Sequence, residues 1–222
     1  MTKLKERQLT LKLRKQGKSY SQIREVVKVS KSTLSRWLRN YPLGKERIRL
    51  LRNLSERRIE RYRQTMQAKR EKRLQDFYNL EEKKWLPLNK RELYMAGLFL
   101  YWGEGLKRLK GPVSLNNTDP KVVKFYLYWL TKVLKIPKKK IRCYLHLYSD
   151  MEVNKELKFW SRELKIPLTQ FIKPYIKQSK RVDIDHKGFG HGTCALVVNN
   201  VRLKEKIMMC IEAIADYYSR KI

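Results

Sequence analysis

The side chains whose type and spacing could do chemistry fall into three places. From Ile141 to Tyr148 the residues alternate: Ile141, Cys143, Leu145 and Leu147 form an apolar side, and Arg142, Tyr144, His146 and Tyr148 the other. The same alternation around Ile172 and Ile176 turns Lys173, Tyr175 and Lys177 outward, and Ser114 and Asn116 join them from a short strand at 113–116. Basic groups interleaved with Tyr, Asn and Ser suit a surface that holds phosphates and reads base edges. The second place is Glu104, set between Gly103 and Gly105 at the end of the apolar run LYMAGLFLYWGEG and the only acidic residue between Glu92 and Asp119. The third is DIDHKGFGHGTC at 183–194, where Asp183, Asp185, His186, His191 and Cys194 invite a metal reading. Glycines break that stretch and its spacing matches no zinc motif, so it reads as a hairpin tip between two strands.

Charge says what these groups face. Lys and Arg number 53 and Asp and Glu 21, a net charge of +32. Self-repulsion on that scale is costly unless a polyanion neutralises it. Residues 1–90 hold 27 basic and 9 acidic side chains and residues 91–222 hold 26 and 12, so both parts can meet the polyanion. With 42% hydrophobic residues the chain can bury a core. No apolar stretch is long enough to span a bilayer, and MTKLKERQ lacks a signal core. The expectation is a cytoplasmic, nucleoid-associated protein with neither a membrane nor a small-molecule substrate as partner. Cys143, Cys194 and Cys210 form no CxxC pair, which argues against a disulfide framework or a cysteine zinc site.

The elements that position these groups divide into three segments: 1–43, 44–88 and 89–222. In the first, Leu9 and Leu13 lie on a helix that Gly17 ends, and Ser21 is a suitable N-cap for a second helix with Ile23, Val26 and Val27 inward. Ser30 caps a third helix with Leu34, Trp37 and Leu38 inward, and Pro42 ends it. Residues 44–84 lack Pro and Gly beyond Gly44 and predict one long basic helix with a thin stripe of Ile59, Tyr62, Met66, Leu74 and Phe77. It reads either as a backbone-tracking connector or as a charged, partly exposed linker helix or weak coiled coil. Beyond residue 89, helices at 92–103, 118–135, 154–165 and 202–218 alternate with strands at 113–116, 141–148, 171–178 and 193–199. LKIP recurs at 134–137 and 164–167, each time between a helix and a strand, a degenerate repeat of 30 residues. The fold class is α+β.

The run SYSQIREVVKVSKSTLSRWL resembles the helix-turn-helix of resolvases and many bacterial regulators. The resemblance implies that the third helix is a recognition helix with Lys31, Ser32, Thr33, Ser35, Arg36 and Arg39 on its outer face. Arg36 could bind guanine bidentately, with Lys31 and Arg39 on phosphates.

The run 93–105 resembles the LAGLIDADG motif, in the variants that end D-G-E-G, with Phe99 and Trp102 where the motif carries smaller residues. The resemblance implies two such helices packed side by side, each delivering one acid to a metal-bound phosphodiester, with a sheet saddle along DNA. Glu104 would then be both the catalytic residue and a ligand of Mg²⁺, which stabilises the transition state and activates water. One motif per chain implies a homodimer through helix 92–103, where Ala96 and Gly103 share a face. The leading expectation is a sequence-specific double-stranded DNA-binding protein with metal-dependent endonuclease activity of the homing type. The competing one is a non-catalytic transcription regulator of the same architecture. An RNA-binding factor fits the charge but not the helix-turn-helix.

Overall fold

The computed structural model describes residues 3–180 and 190–221. The protein is α+β, and its chain forms two compact units, Met1–Leu86 and Pro87–Ile222.

The first unit contains α1 (Leu4–Lys15), α2 (Tyr20–Val26), α3 (Lys31–Trp37), α4 (Lys45–Arg49) and α5 (Leu54–Trp85). Gly17, at φ +77°, takes the left-handed conformation that stops α1. The N-cap of α2 is Ser19, not Ser21. Ser19 Oγ accepts from the Gln22 amide at 3.2 Å, and Gln22 Oε1 accepts from the Ser19 amide at 3.0 Å. Starting at Ser21 would place Arg24, which cannot accept, in the reciprocal position. Ser30 caps α3 as expected, accepting from the Thr33 amide at 3.2 Å. Tyr20, Ile23, Val27, Leu34 and Leu38 form the core of the three helices. Val26 is exposed instead of packed, because α2 ends there and extended Val27 turns inward. Trp37 is only half-buried. On α1 the buried positions are Thr10 and Arg14, while Leu9 is exposed. The predicted single helix over 44–84 breaks at 50–53. There Leu51 packs with Leu43 and Ile48, and Asn53 starts a new helix by accepting from the Ser55 amide.

The second unit runs α6 (Lys90–Glu104), β1 (Val113–Asn117), α7 (Pro120–Tyr128) continued by a π-helical turn (Trp129–Val133), β2 (Arg142–Tyr148), α8 (Val153–Leu164), β3 (Phe171–Lys177), β4 (Thr193–Val198) and α9 (Val201–Ser219). The sheet order is β1-β4-β2-β3, antiparallel except for the β2–β3 pair, which α8 connects. One sheet face and the helices share a single core. Among the described residues of this unit no helix packs on the other, open face. Both LKIP segments are helix exits. Lys135 and Lys165 adopt φ +59° and +51°, and Ile-Pro then leads through a 3₁₀ turn to a strand. Trp129 lies directly on Gly97 of α6, where an added Cβ would meet its ring at 2.0 Å, and its Nε1 donates to the Tyr94 carbonyl at 3.2 Å.

The order of strands and helices is the alternation expected from the sequence, with a helix between β1 and β2 and another between β2 and β3. Two expectations fail in this unit. β4 and β3 are not a hairpin, because β2 lies between them. Second, the phase of β3 shifts midway. Phe171 pairs with Cys143 and Ile172 with Tyr144, but Tyr175 pairs with His146, so Lys173 and Pro174 together oppose Leu145. Proline cannot donate to the ladder, and the bulge it occupies adds a residue that reverses the alternation. Ile172 therefore lies on the open face, 46% exposed, not on the core side. Ile176 faces the same way as Leu147 but remains exposed at the sheet edge.

Candidate nucleic-acid interface

The first candidate surface is α3. Lys31, Ser32, Arg36 and Arg39 are exposed. Thr33 and Ser35 are half-buried. The Ser30 hydroxyl donates to Thr33 Oγ1 at 2.9 Å, and Ser35 Oγ accepts from Arg63 Nη1 at 3.2 Å. Ser35 thus turns toward α5, which leaves Lys31, Ser32, Arg36 and Arg39 as the accessible set.

The start of α5 holds α3 in place through groups that the sequence reading did not single out. Arg14 and Glu60 make a bidentate pair, with Nη1–Oε1 and Nη2–Oε2 both 3.0 Å and side chains 4% and 2% exposed. Arg14 Nε also donates to the Tyr41 carbonyl at 2.8 Å, and the Tyr20 amide donates to Glu60 Oε1 at 2.6 Å. Tyr20 in turn donates its hydroxyl to the Lys31 carbonyl at 2.7 Å, and the Arg63 guanidinium lies 4.4 Å over its ring. Burial lowers the Arg63 pKa, opposed by the negative charge of Glu60. One charged network therefore ties α1, the first turn of α2, the start of α3 and α5 together. The available signal was two glutamates four apart, Glu56 and Glu60, on one side of a basic helix. Glu56 accepts from Gln22 Nε2 at 3.2 Å.

The second surface is the open sheet face. Register aligns Ser114, Val197 and Arg142 in one row and Asn116, Ala195 and Tyr144 in the next, with Thr193, His146 and Tyr175 in a third. The rings of Tyr144 and His146 meet edge-on at 4.8 Å, and those of His146 and Tyr175 at 5.7 Å. Lys177 Nζ lies 4.6 Å over the Tyr148 ring. Burial, and then the charge of Lys177, lower the His146 pKa, so the imidazole is neutral at pH 7. Arg142 and Asn116 are exposed, whereas Ser114 is buried, 8% exposed, and offers little to a ligand. Lys173 is exposed in the bulge, outside the alternation. The structure thus gathers Asn116, Arg142, Tyr144, His146, Tyr148, Tyr175 and Lys177 on one face.

The third place is the end of α6. Glu104 is its last residue and is exposed. The carbonyl oxygens around it already serve ammonium groups. Lys107 Nζ donates to the Gly105 carbonyl at 2.7 Å and to that of Tyr101 at 3.3 Å. Lys204, fully buried, donates to the Tyr101 hydroxyl at 2.6 Å and to the Leu106 carbonyl. Cations suit a helix C-terminus, where unpaired carbonyls carry partial negative charge. Burial and the charge of Lys107 lower the Lys204 pKa, and burial pushes Tyr101 up to about 12. Among the described residues no group of three His, Cys, Asp or Glu side chains is placed to hold a metal ion. Within one chain this site does not fit Mg²⁺, which needs several oxygen ligands: there is a single carboxylate, and ammonium groups occupy the nearby carbonyls.

In the 183–194 stretch, Asp183, Asp185 and His186 lie outside the described residues. His191 Nδ1 is 2.7 Å from Glu156 Oε2, and its ring stacks on Phe159 at 3.4 Å. Cys194 faces the core, and burial raises its pKa well above the usual thiol range. These two residues anchor the approach to β4 on α8 and in the core, a structural use.

Residues 1–46 match the model of a homeodomain-like domain. No curated protein and no solved structure matches the chain. Among the described residues no helix is long and apolar enough to cross a membrane.

Proposed function

We propose that the chain is a sequence-specific double-stranded DNA-binding protein. The N-terminal unit carries a helix-turn-helix of homeodomain-like type, a fold whose third helix enters the major groove. The single observation that supports sequence reading is the exposed set Lys31, Ser32, Arg36 and Arg39 on a helix that a buried ion network holds in place. Arg36 is assigned to a base edge, and Lys31 and Arg39 to phosphates. The open sheet face of the second unit supplies a further contact surface, with Arg142 and Lys177 for phosphates and Asn116 and Tyr144 for polar contacts. Non-catalytic regulation follows from binding alone and needs no further group. The test is competition binding to a selected site and to random duplex. Arg36→Ala should lose about 1–3 kcal/mol of preference for the selected site and little affinity for random DNA. Equal losses on both would reject the recognition helix.

A second reading, metal-dependent DNA cleavage, draws support from Glu104 standing exposed beside Gly103, where an added Cβ meets nothing within 4 Å. It requires a homodimer through the exposed Phe99, Trp102 and Gly103 side of α6, so that two Glu104 carboxylates meet. Supercoiled plasmid carrying the bound site, incubated with Mg²⁺, distinguishes the readings. Nicking that Glu104→Gln abolishes favours the nuclease, and absence of nicking favours the regulator.

A further inference from the structure

In the second half of α5 every residue from Ala68 to Trp85 is exposed. Yet the helix carries an apolar stripe of Ile59, Tyr62, Met66, Leu74, Phe77 and Leu80, between 37% and 64% exposed. The stripe is symmetric about its own middle. Ile59 and Leu80, Tyr62 and Phe77, and Met66 and Leu74 are equidistant, within half a residue, from a point between Lys69 and Arg70. Charge follows the same plan. Residues 54–63 hold four Arg and two Glu, and residues 74–85 hold two Lys against Asp76, Glu81 and Glu82. The first end is net positive and the second net negative. An antiparallel partner places unlike ends together, and a parallel one places like ends together. A groove of about 710 Å³ lies beside the stripe within the same unit, where Tyr62, Met66 and Leu74 stand among mostly charged lining residues such as Arg63 and Arg70.

We infer that α5 pairs antiparallel with α5 of a second copy of this chain, stripe against stripe, about a two-fold axis between Lys69 and Arg70. The interface is isologous, each residue of one copy meeting its mirror position in the other. Glu60, which anchors the helix-turn-helix, then lies opposite Asn79 of the other helix. Nineteen residues at about 1.5 Å each separate the two anchors by about 28 Å along the axis, and the helices stand about 8–10 Å apart. That spacing is close to one turn of duplex, about 34 Å, which separates the half-sites of dimeric helix-turn-helix proteins. The match with half-sites rests on the DNA reading above, whereas the pairing itself does not. Arg70 and Arg73 of both copies meet near the axis, so the pair is weakest at low salt and strengthens when salt or phosphate screens them.

The test uses the full chain in a Cys210→Ser background, since Cys143 and Cys194 are buried. Tyr62→Cys and Phe77→Cys variants are treated with a short bis-maleimide at about 0.5 M salt, alone and mixed. The pairing predicts a covalent dimer of twice 26.9 kDa from the mixture and none from either variant alone, because like positions lie more than 20 Å apart. Phe77→Glu, at an exposed position that folding does not need, should sediment as a monomer where the native chain sediments as a dimer. Self-linking by either variant alone, or no linking in any arm with or without duplex, overturns the proposal. Duplexes with half-sites about 10 bp apart should bind at least tenfold tighter than those with 5 bp offset. Cross-linking without any such preference leaves the pairing standing and rejects the half-site match.

Discussion

Replacing Glu60 by Ala tests what holds the recognition helix in place. In the native chain both Glu60 oxygens accept from Arg14 at 3.0 Å, and Oε1 also accepts from the Tyr20 amide. The pair is shielded from solvent, so it escapes the screening that makes surface pairs worth little. Removing one partner of such a pair costs about 3–5 kcal/mol, because the other charge stays buried and unpaired. Arg14 would keep only the Tyr41 and Lys18 carbonyls. For a unit of this size about 1 kcal/mol lowers the melting temperature by roughly 4–8 °C, so a loss of 12 °C or more is expected. Thermal unfolding of the variant beside the native chain, followed by circular dichroism, reads it. Glu60→Ala combined with Arg14→Met should recover much of the loss, since replacing both ions by apolar groups is often nearly neutral. A single-variant cost below about 1 kcal/mol would place the pair among ordinary surface ion pairs and refute the reasoning.

Gly97→Ala places a methyl 2.0 Å from the Trp129 ring and should destabilise the second unit by about 1–3 kcal/mol, read by thermal unfolding; a neutral result would show that α6 and Trp129 do not pack this closely. His146, with its pKa below the ordinary value of about 6.5, binds fewer protons folded than unfolded, so its contribution is complete above that value and lost as pH falls through it towards the folded pKa. Stability measured from pH 7 to 5 should drop less steeply in His146→Gln than in the native chain. Arg142→Ala with Lys177→Ala should reduce the salt slope of binding by one to two phosphate contacts, about 0.9 each, if the open sheet face lies on duplex; an unchanged slope would remove that face from the interface.

Much of the fold was legible because its signals are local. Ser30 followed by Leu34 and Leu38 marks α3, and the two LKIP segments mark the exits of the helices before β2 and β3. The apolar side of β2 could be read from alternation alone, since period two is fixed by backbone geometry. What failed depended on distant partners. Arg14, on which no local pattern bears, is buried because Glu60, 46 residues away, neutralises it. Ser35 looked outward and turns to Arg63 for the same kind of reason. In β3 the alternation misled because Pro174 inserts a bulge whose place is set by β2 and not by β3 itself. At Glu104 the sequence gives a carboxylate between glycines, but whether a second oxygen donor reaches it depends on another copy of the chain, which no local pattern encodes.

The central claim is that α3 reads base sequence in duplex DNA. It is tested most directly by selecting binding sites from a random duplex library with the native chain and with Arg36→Ala, at about 0.15 M salt. The account predicts that the native chain enriches one recurring motif and that the variant enriches the same motif with one position relaxed. Retention of the library without enrichment of any motif by the native chain would contradict it, leaving the charge of the chain as the whole of its affinity.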